Sequence, residues 1–162
     1  MENNKAKKIH NGIKCRVGKA EGYMDTTISD EFRKLENFSE WYDENYVEGW
    51  EVDKDILSDS TNKCYSHDTC LMVPREINAL FRKSTSKYGK GVYFDSRDNK
   101  YYGQMRIDGK TKNCGSSTTA EGAHKLYLEQ RKVHLQELLE RYKDIHNQYA
   151  YQRLATALQQ YL

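Results

Sequence analysis

At 162 residues, with 37% hydrophobic and 31% charged side chains, the chain is long enough for one compact domain or two very small ones and too polar for a large buried core. Its 13 Tyr, two Trp and four Phe are anchors that a disordered chain lacks, so a folded protein with a thin core is expected, with disorder confined to the ends. No apolar run reaches the length of a signal peptide or membrane span, which predicts a soluble, cytoplasmic protein with no membrane partner. Four irregularly spaced cysteines, Cys15, Cys64, Cys70 and Cys114, read as free thiols.

The net charge of +2 conceals segregation. Residues 1–20 carry six Lys/Arg against one Glu, residues 21–70 four against fourteen acids, and residues 71–118 ten against four. Phosphate binding needs local positive charge, so the first and third blocks suit nucleic acid while the second faces away from it. Residues 1–20 read as a basic, disordered arm.

Between Ser29 and Tyr46 the residues Phe32, Leu35, Phe38, Trp41 and Tyr42 recur at helical spacing, which predicts one helix capped by Asp30. A polar cluster at 58–62 marks a boundary. Pro74 followed by REINALFRK predicts a short helix with Ile77, Leu80 and Phe81 on one face. Past Lys90 come three β-like runs, GVYFDSR, KYYGQMRI and KTKNCG, separated by turns containing Asp98, Asn99, Asp108 and Gly109. A three-stranded antiparallel meander is therefore expected. Thr118 or Thr119 starts a helical segment that no proline interrupts through Leu162, either one long helix or two broken near His146 and Asn147.

Strand alternation puts Tyr93, Asp95 and Arg97 on one face of the first run, and Tyr102, Gln104 and Arg106 on one face of the second. Arg97, Tyr102, Gln104 and Arg106 then form a polar surface. Val92, Phe94, Met105 and Ile107 are left to pack on the helix through Ala123, Leu126 and Tyr127. Arginine bonds guanine bidentately, Gln pairs with adenine, and Lys100, Lys110 and Lys112 neutralise phosphates. Paired with Asp95, Asp98 or Asp108, the same arginines make only a solubilising strand face.

Two stretches resemble a phage-encoded family of HNH homing endonuclease-like proteins that carry an Apetala-type (ethylene-response-factor-like) DNA-binding domain. The first is WYDENYVEGWEVDKDILSDSTNKCYSHDTCLMVPREINALF at 41–81; the second is GVYFDSRDNKYYGQMRIDGKTKNCG at 91–115 with TTAEGAHKLY at 118–127. The resemblance implies a sheet laid in the major groove, with the first two strands reading bases and phosphates. Its aromatic-Gly turn is replaced here by Cys114-Gly115-Ser116-Ser117.

The fold class that follows is α+β, with a small N-terminal degenerate ββα-type module, a three-stranded antiparallel sheet packed on a helix, and a long C-terminal helical segment. The expected divisions are the arm at 1–20, the acidic HNH-like module at 21–83, the DNA-binding domain at 84–128 and a helical extension at 129–162. Active HNH nucleases need an imidazole base and metal-holding partners on that module. The corresponding places here read Val52-Asp53-Lys54-Asp55 and Asp68-Thr69-Cys70, so a lysine stands where a base is wanted, and neither catalytic residues nor a metal or other cofactor is assigned. His67 between Cys64 and Cys70 lacks a usual zinc spacing.

The function expected is sequence- or structure-selective binding of double-stranded DNA through Arg97, Lys100, Tyr102, Gln104, Arg106, Lys110 and Lys112. Two alternatives stay open. One is an inhibitor of a host defence nuclease (anti-CRISPR-like), whose acidic block occupies a partner's basic channel. The other is a residual Mg²⁺-dependent homing endonuclease or nickase using Asp53 and Asp55. The stripe Leu135, Leu138, Leu139, Tyr142 and Ile145 adds an expectation of a homodimer through the C-terminal helix.

Overall fold

Ala6, His10 and Ile13 stand four and three residues apart, the spacing of one helix face, and all three are buried. The segment expected as a disordered arm is accordingly a packed helix, α1 (Asn3–Arg16), in the computed structural model, which describes residues 3–58 and 61–162. Three residues, one of them an imidazole, are too few to raise an apolar period in so lysine-rich a segment. Met1 and Glu2 of the expected arm, and Asp59 and Ser60 of the boundary at 58–62, lie outside the described residues.

The chain is α+β and forms two units. One runs to Arg75 and takes up Lys143–Gln159; the other is Glu76–Tyr142 with Gln160–Leu162. The units meet in sequence at 75/76, 142/143 and 159/160, beside the divisions at 83/84 and 128/129 expected from the sequence, and the C-terminal helical segment is shared between them.

In the first unit the single helix expected over residues 29–46 is two, α2 (Asp30–Arg33) and α3 (Leu35–Asn45), separated by Lys34 in extended conformation (φ −82°, ψ 125°). A helix turns about 100° per residue, so an unbroken one would set Phe32 opposite Trp41. The break brings Phe32 onto the same cluster, 5.4 Å from both the Phe38 and Trp41 rings. Ser29, not Asp30, caps α2 by accepting the Phe32 N–H at 3.3 Å. His10 Nε2 donates to the Phe32 carbonyl at 2.7 Å.

Strand β2 (Trp50–Asp53) pairs antiparallel with β4 (Leu71–Pro74), and β1 (Thr27–Ile28) pairs parallel with β3 (Cys64–Tyr65). Pro74 ends β4 opposite Trp50, and helix α4 (Arg75–Phe81) starts one residue later than its proline suggested. All four β4 residues are buried, and α6 (Gln148–Leu158) packs against them with Ala150, Leu154, Ala157 and Leu158 inside. Asn147 caps α6 by accepting the Ala150 N–H at 3.1 Å, while its Nδ2 donates to the carbonyls of Glu44 (2.8 Å) and Tyr46 (3.1 Å). The break near His146 and Asn147 is thus the alternative the chain adopts.

In the second unit β5 (Val92–Asp95), β6 (Lys100–Ile107) and β7 (Lys110–Ser117) form one antiparallel sheet in that order. Asp108 and Gly109, both left-handed at φ 49° and 76°, make the two-residue turn that matches strand twist. Helix α5 (Ala120–Tyr142) lies on one face. Its seat is a row of glycines, because a Cβ on Gly103 would come 2.8 Å from the Ala123 carbonyl oxygen and one on Gly115 2.9 Å from Leu126 Cδ1. On Gly91 it would enter the Tyr127 ring. The helix therefore rests on strand backbone. Val92 and Met105 are buried on that face, while Phe94 meets Tyr101 at 5.0 Å.

Of the stripe expected to join a second copy, Leu135 and Leu138 are 0% exposed and Leu139 8%, whereas Tyr142 and Ile145 are half-buried. Among the described residues no helix is long and apolar enough to cross a membrane.

Candidate nucleic-acid interface

Cross-strand partners share a face, which fixes where each expected contact residue projects. The pairs Tyr93↔Tyr102, Asp95↔Lys100, Gln104↔Asn113 and Arg106↔Thr111 stand on the side away from α5. The pairs Met105↔Lys112 and Ile107↔Lys110 stand on the α5 side. Four of the seven expected residues, Lys100, Tyr102, Gln104 and Arg106, thus share the open face. Lys110 and Lys112 project from the other, and Arg97 lies in the turn between β5 and β6 instead of on a strand. A bulge between Gly103 and Gln104, where Cys114 is the extra residue on β7, leaves this alternation along β6 intact.

The arginines are not bare charges. Arg97 binds the Asp95 carboxylate through Nη2 at 2.8 Å and Nε at 3.2 Å, and its backbone N–H donates to the same side chain at 2.9 Å. The guanidinium holds the Asp95 carboxyl below the usual carboxylate range, and Asp95 in turn raises Arg97. Arg106 Nε donates to the Gly109 carbonyl at 3.2 Å. Tyr102 donates to the Asp98 carboxylate, which raises the phenol above its ordinary value. At the β5–β6 turn two cations (Arg97, Lys100) stand against two acids (Asp95, Asp98), and at the other end of β6 Arg106 lies two residues from Asp108, so the charges of this face balance.

Sequence reasoning placed Tyr93 on the correct face but gave it no role. Its ring stacks on Tyr102 with centroids 5.4 Å apart and planes 21° from parallel, and it remains 36% exposed. Beside it lies a hollow of about 250 Å³ lined by Gly91, Val92, Tyr93, Gln104, Met105, Arg106 and Thr111. Thr111 and Asn113 complete the face on β7.

The residues that the resemblance set against a nuclease centre take part in the following contacts. Asp53, 6% exposed, ends β2 by accepting the backbone N–H groups of Asp55 (2.8 Å) and Ile56 (2.9 Å), while burial pushes its carboxyl up. Lys54 is 3% exposed, with Nζ 2.5 Å from Asp55 Oδ1 and over the rings of Tyr23 and Tyr65 at 5.4 and 5.6 Å. Thr69 closes a turn with Ser66 and the Cys64 carbonyl, and burial pushes the Cys70 thiol up to about 12. His67 is exposed, its ring 3.4 Å from the Asp68 carboxylate and its carbonyl accepting from Arg153 at 2.9 Å. Among the described residues no group of three or more His, Cys, Asp or Glu converges as metal ligands would. No protein-family model, no curated protein and no solved structure matches this chain.

Proposed function

We propose that the chain binds double-stranded DNA through the open face of the β5–β6–β7 sheet. The observation that carries the reading is that Lys100, Gln104 and Arg106 stand on one uncovered strand face, spaced by alternation and supported from behind by a helix. A twisted ribbon of this width enters a major groove; the Gln104 amide matches an adenine edge, Arg106 a guanine edge or phosphate, and Lys100 a phosphate. Lys110 and Lys112, on the other face, are left out of the contact. In fluorescence anisotropy with a labelled duplex, Lys100→Ala with Arg106→Ala is expected to remove most of the salt-dependent binding. Undiminished affinity in that variant, with native circular dichroism, would refute the reading.

A second reading draws on the other unit. Glu31, Glu40 and Glu44 rim a hollow of about 580 Å³ that also touches Phe32 and Trp41, a setting suited to a basic segment of a protein partner. Pull-down from nuclease-treated lysate tests it; partners recovered only when DNA is present count against it.

A further inference from the structure

We infer that the hollow beside Tyr93 receives one unpaired DNA base, so that the sheet prefers a duplex carrying an extrahelical nucleotide over a fully matched one. The inference rests on the DNA-binding reading above and names the form of DNA that the face selects.

The hollow exists because β5 is half as long as β6. The last β5–β6 pair is Val92↔Gly103, and beyond it β6 has no strand on that side. Gly91, left-handed at φ 72°, turns the chain away while its carbonyl accepts the Gln104 N–H at 2.6 Å. Tyr93, Gln104, Arg106 and Thr111 line it from the open face, Tyr93 supplying the apolar surface, while Val92 and Met105, turned toward α5 and 5% and 4% exposed, border it only at the strand edge.

A nucleobase is a flat ring with apolar faces and a polar edge, and this lining answers each part. Tyr93 is held by its stack on Tyr102, so a base set against it extends an aromatic pair whose ordering is already complete. The Gln104 amide offers both a donor and an acceptor to the base edge, and Thr111 a hydroxyl. Arg106 supplies charge for the phosphate beside the extruded nucleotide. Stacked base pairs do not fill such a recess, because groove edges are themselves concave and are read by side chains that project. Taking a base out of the stack costs free energy, least when the base is already unpaired. Selection therefore favours DNA in which that step has been taken.

Competition anisotropy with three DNAs of equal length provides the test: a matched duplex, a duplex with one bulged nucleotide, and the same bulge without its base. The base-bearing bulge is expected to bind about tenfold tighter than either other DNA, the scale of one base–aromatic stack. Tyr93→Ala brings that ratio toward one. A bulged 2-aminopurine is expected to lose fluorescence on binding the unaltered protein, a readout that needs no variant. Equal affinity for all three DNAs, a baseless bulge as good as a complete one, or unchanged 2-aminopurine emission would each overturn the inference and leave duplex binding standing. Failure to bind any of the three removes both.

Discussion

Replacing Asp95 by Asn removes the carboxylate that holds Arg97 and leaves the turn its acceptor. The Asn carbonyl oxygen continues to take the Arg97 backbone N–H, now 2.9 Å away, while the contacts of Nη2 and Nε at 2.8 and 3.2 Å lose their ionic partner. Arg97 is 86% exposed, so the lost pair matters little to stability and its fork becomes available to phosphate. One added phosphate contact steepens the dependence of log K on log salt by about 0.9. Between about 50 and 200 mM salt, that slope makes the variant lose roughly 3.5-fold more affinity than the parent, with a gain of similar size at the low-salt end. Anisotropy titrations across that range measure both, and Arg97→Ala added to Asp95→Asn should return the slope to the parent value. An unchanged slope would show that Arg97 does not face the DNA backbone and would confine the contact to Lys100, Gln104 and Arg106.

Two further outcomes follow from packing and burial. Gly103→Ala sets a methyl 2.8 Å from the Ala123 carbonyl oxygen, 3.2 Å from Cys114 Cβ and 3.3 Å from the Tyr127 nitrogen. Two of those three atoms are backbone, so the cost is expected at about 1–3 kcal/mol, read as a melting temperature lower by roughly 2–4 °C per kcal/mol for a chain of this length; a loss under about 0.5 kcal/mol would mean that α5 does not rest there. Asp53→Asn keeps an oxygen acceptor for Asp55 and Ile56 and removes a buried charge. Burial raises the folded-state pKa of Asp53, so the parent loses stability as pH climbs from the ordinary carboxylate value, about 4, through the raised one. The Asn variant is expected to escape that loss. Denaturant midpoints should therefore show its advantage growing with pH across that window; a constant difference would contradict a buried, titrating carboxyl.

The sheet was legible because period-two alternation and the Asp108-Gly109 turn specify strands and hairpin locally. The fate of Lys110 and Lys112 was also within reach, since a two-residue turn sets Lys110 directly across from Ile107 and hence on the helix side. Their charge was counted without carrying the register around the turn. Arg97 left the strand because residues 96–99 form the turn, with Asn99 left-handed at φ 51°. The break at Lys34 carries no Gly or Pro and is imposed by the cluster that Phe32 joins. The hollow at Tyr93 depends on where β5 stops pairing, a length that alternation does not encode.

Residues 76–142 separate β4 from the helix that packs against it, so a ribosome delivers the whole sheet before it delivers Ala150, Leu154 and Leu158. The earliest-made portion of the protein is in this sense finished among the last. A product cut short near Tyr142 would hold the complete sheet and its helix tied to an N-terminal half with an apolar strand bare along one side, a species prone to aggregate before it could be repaired.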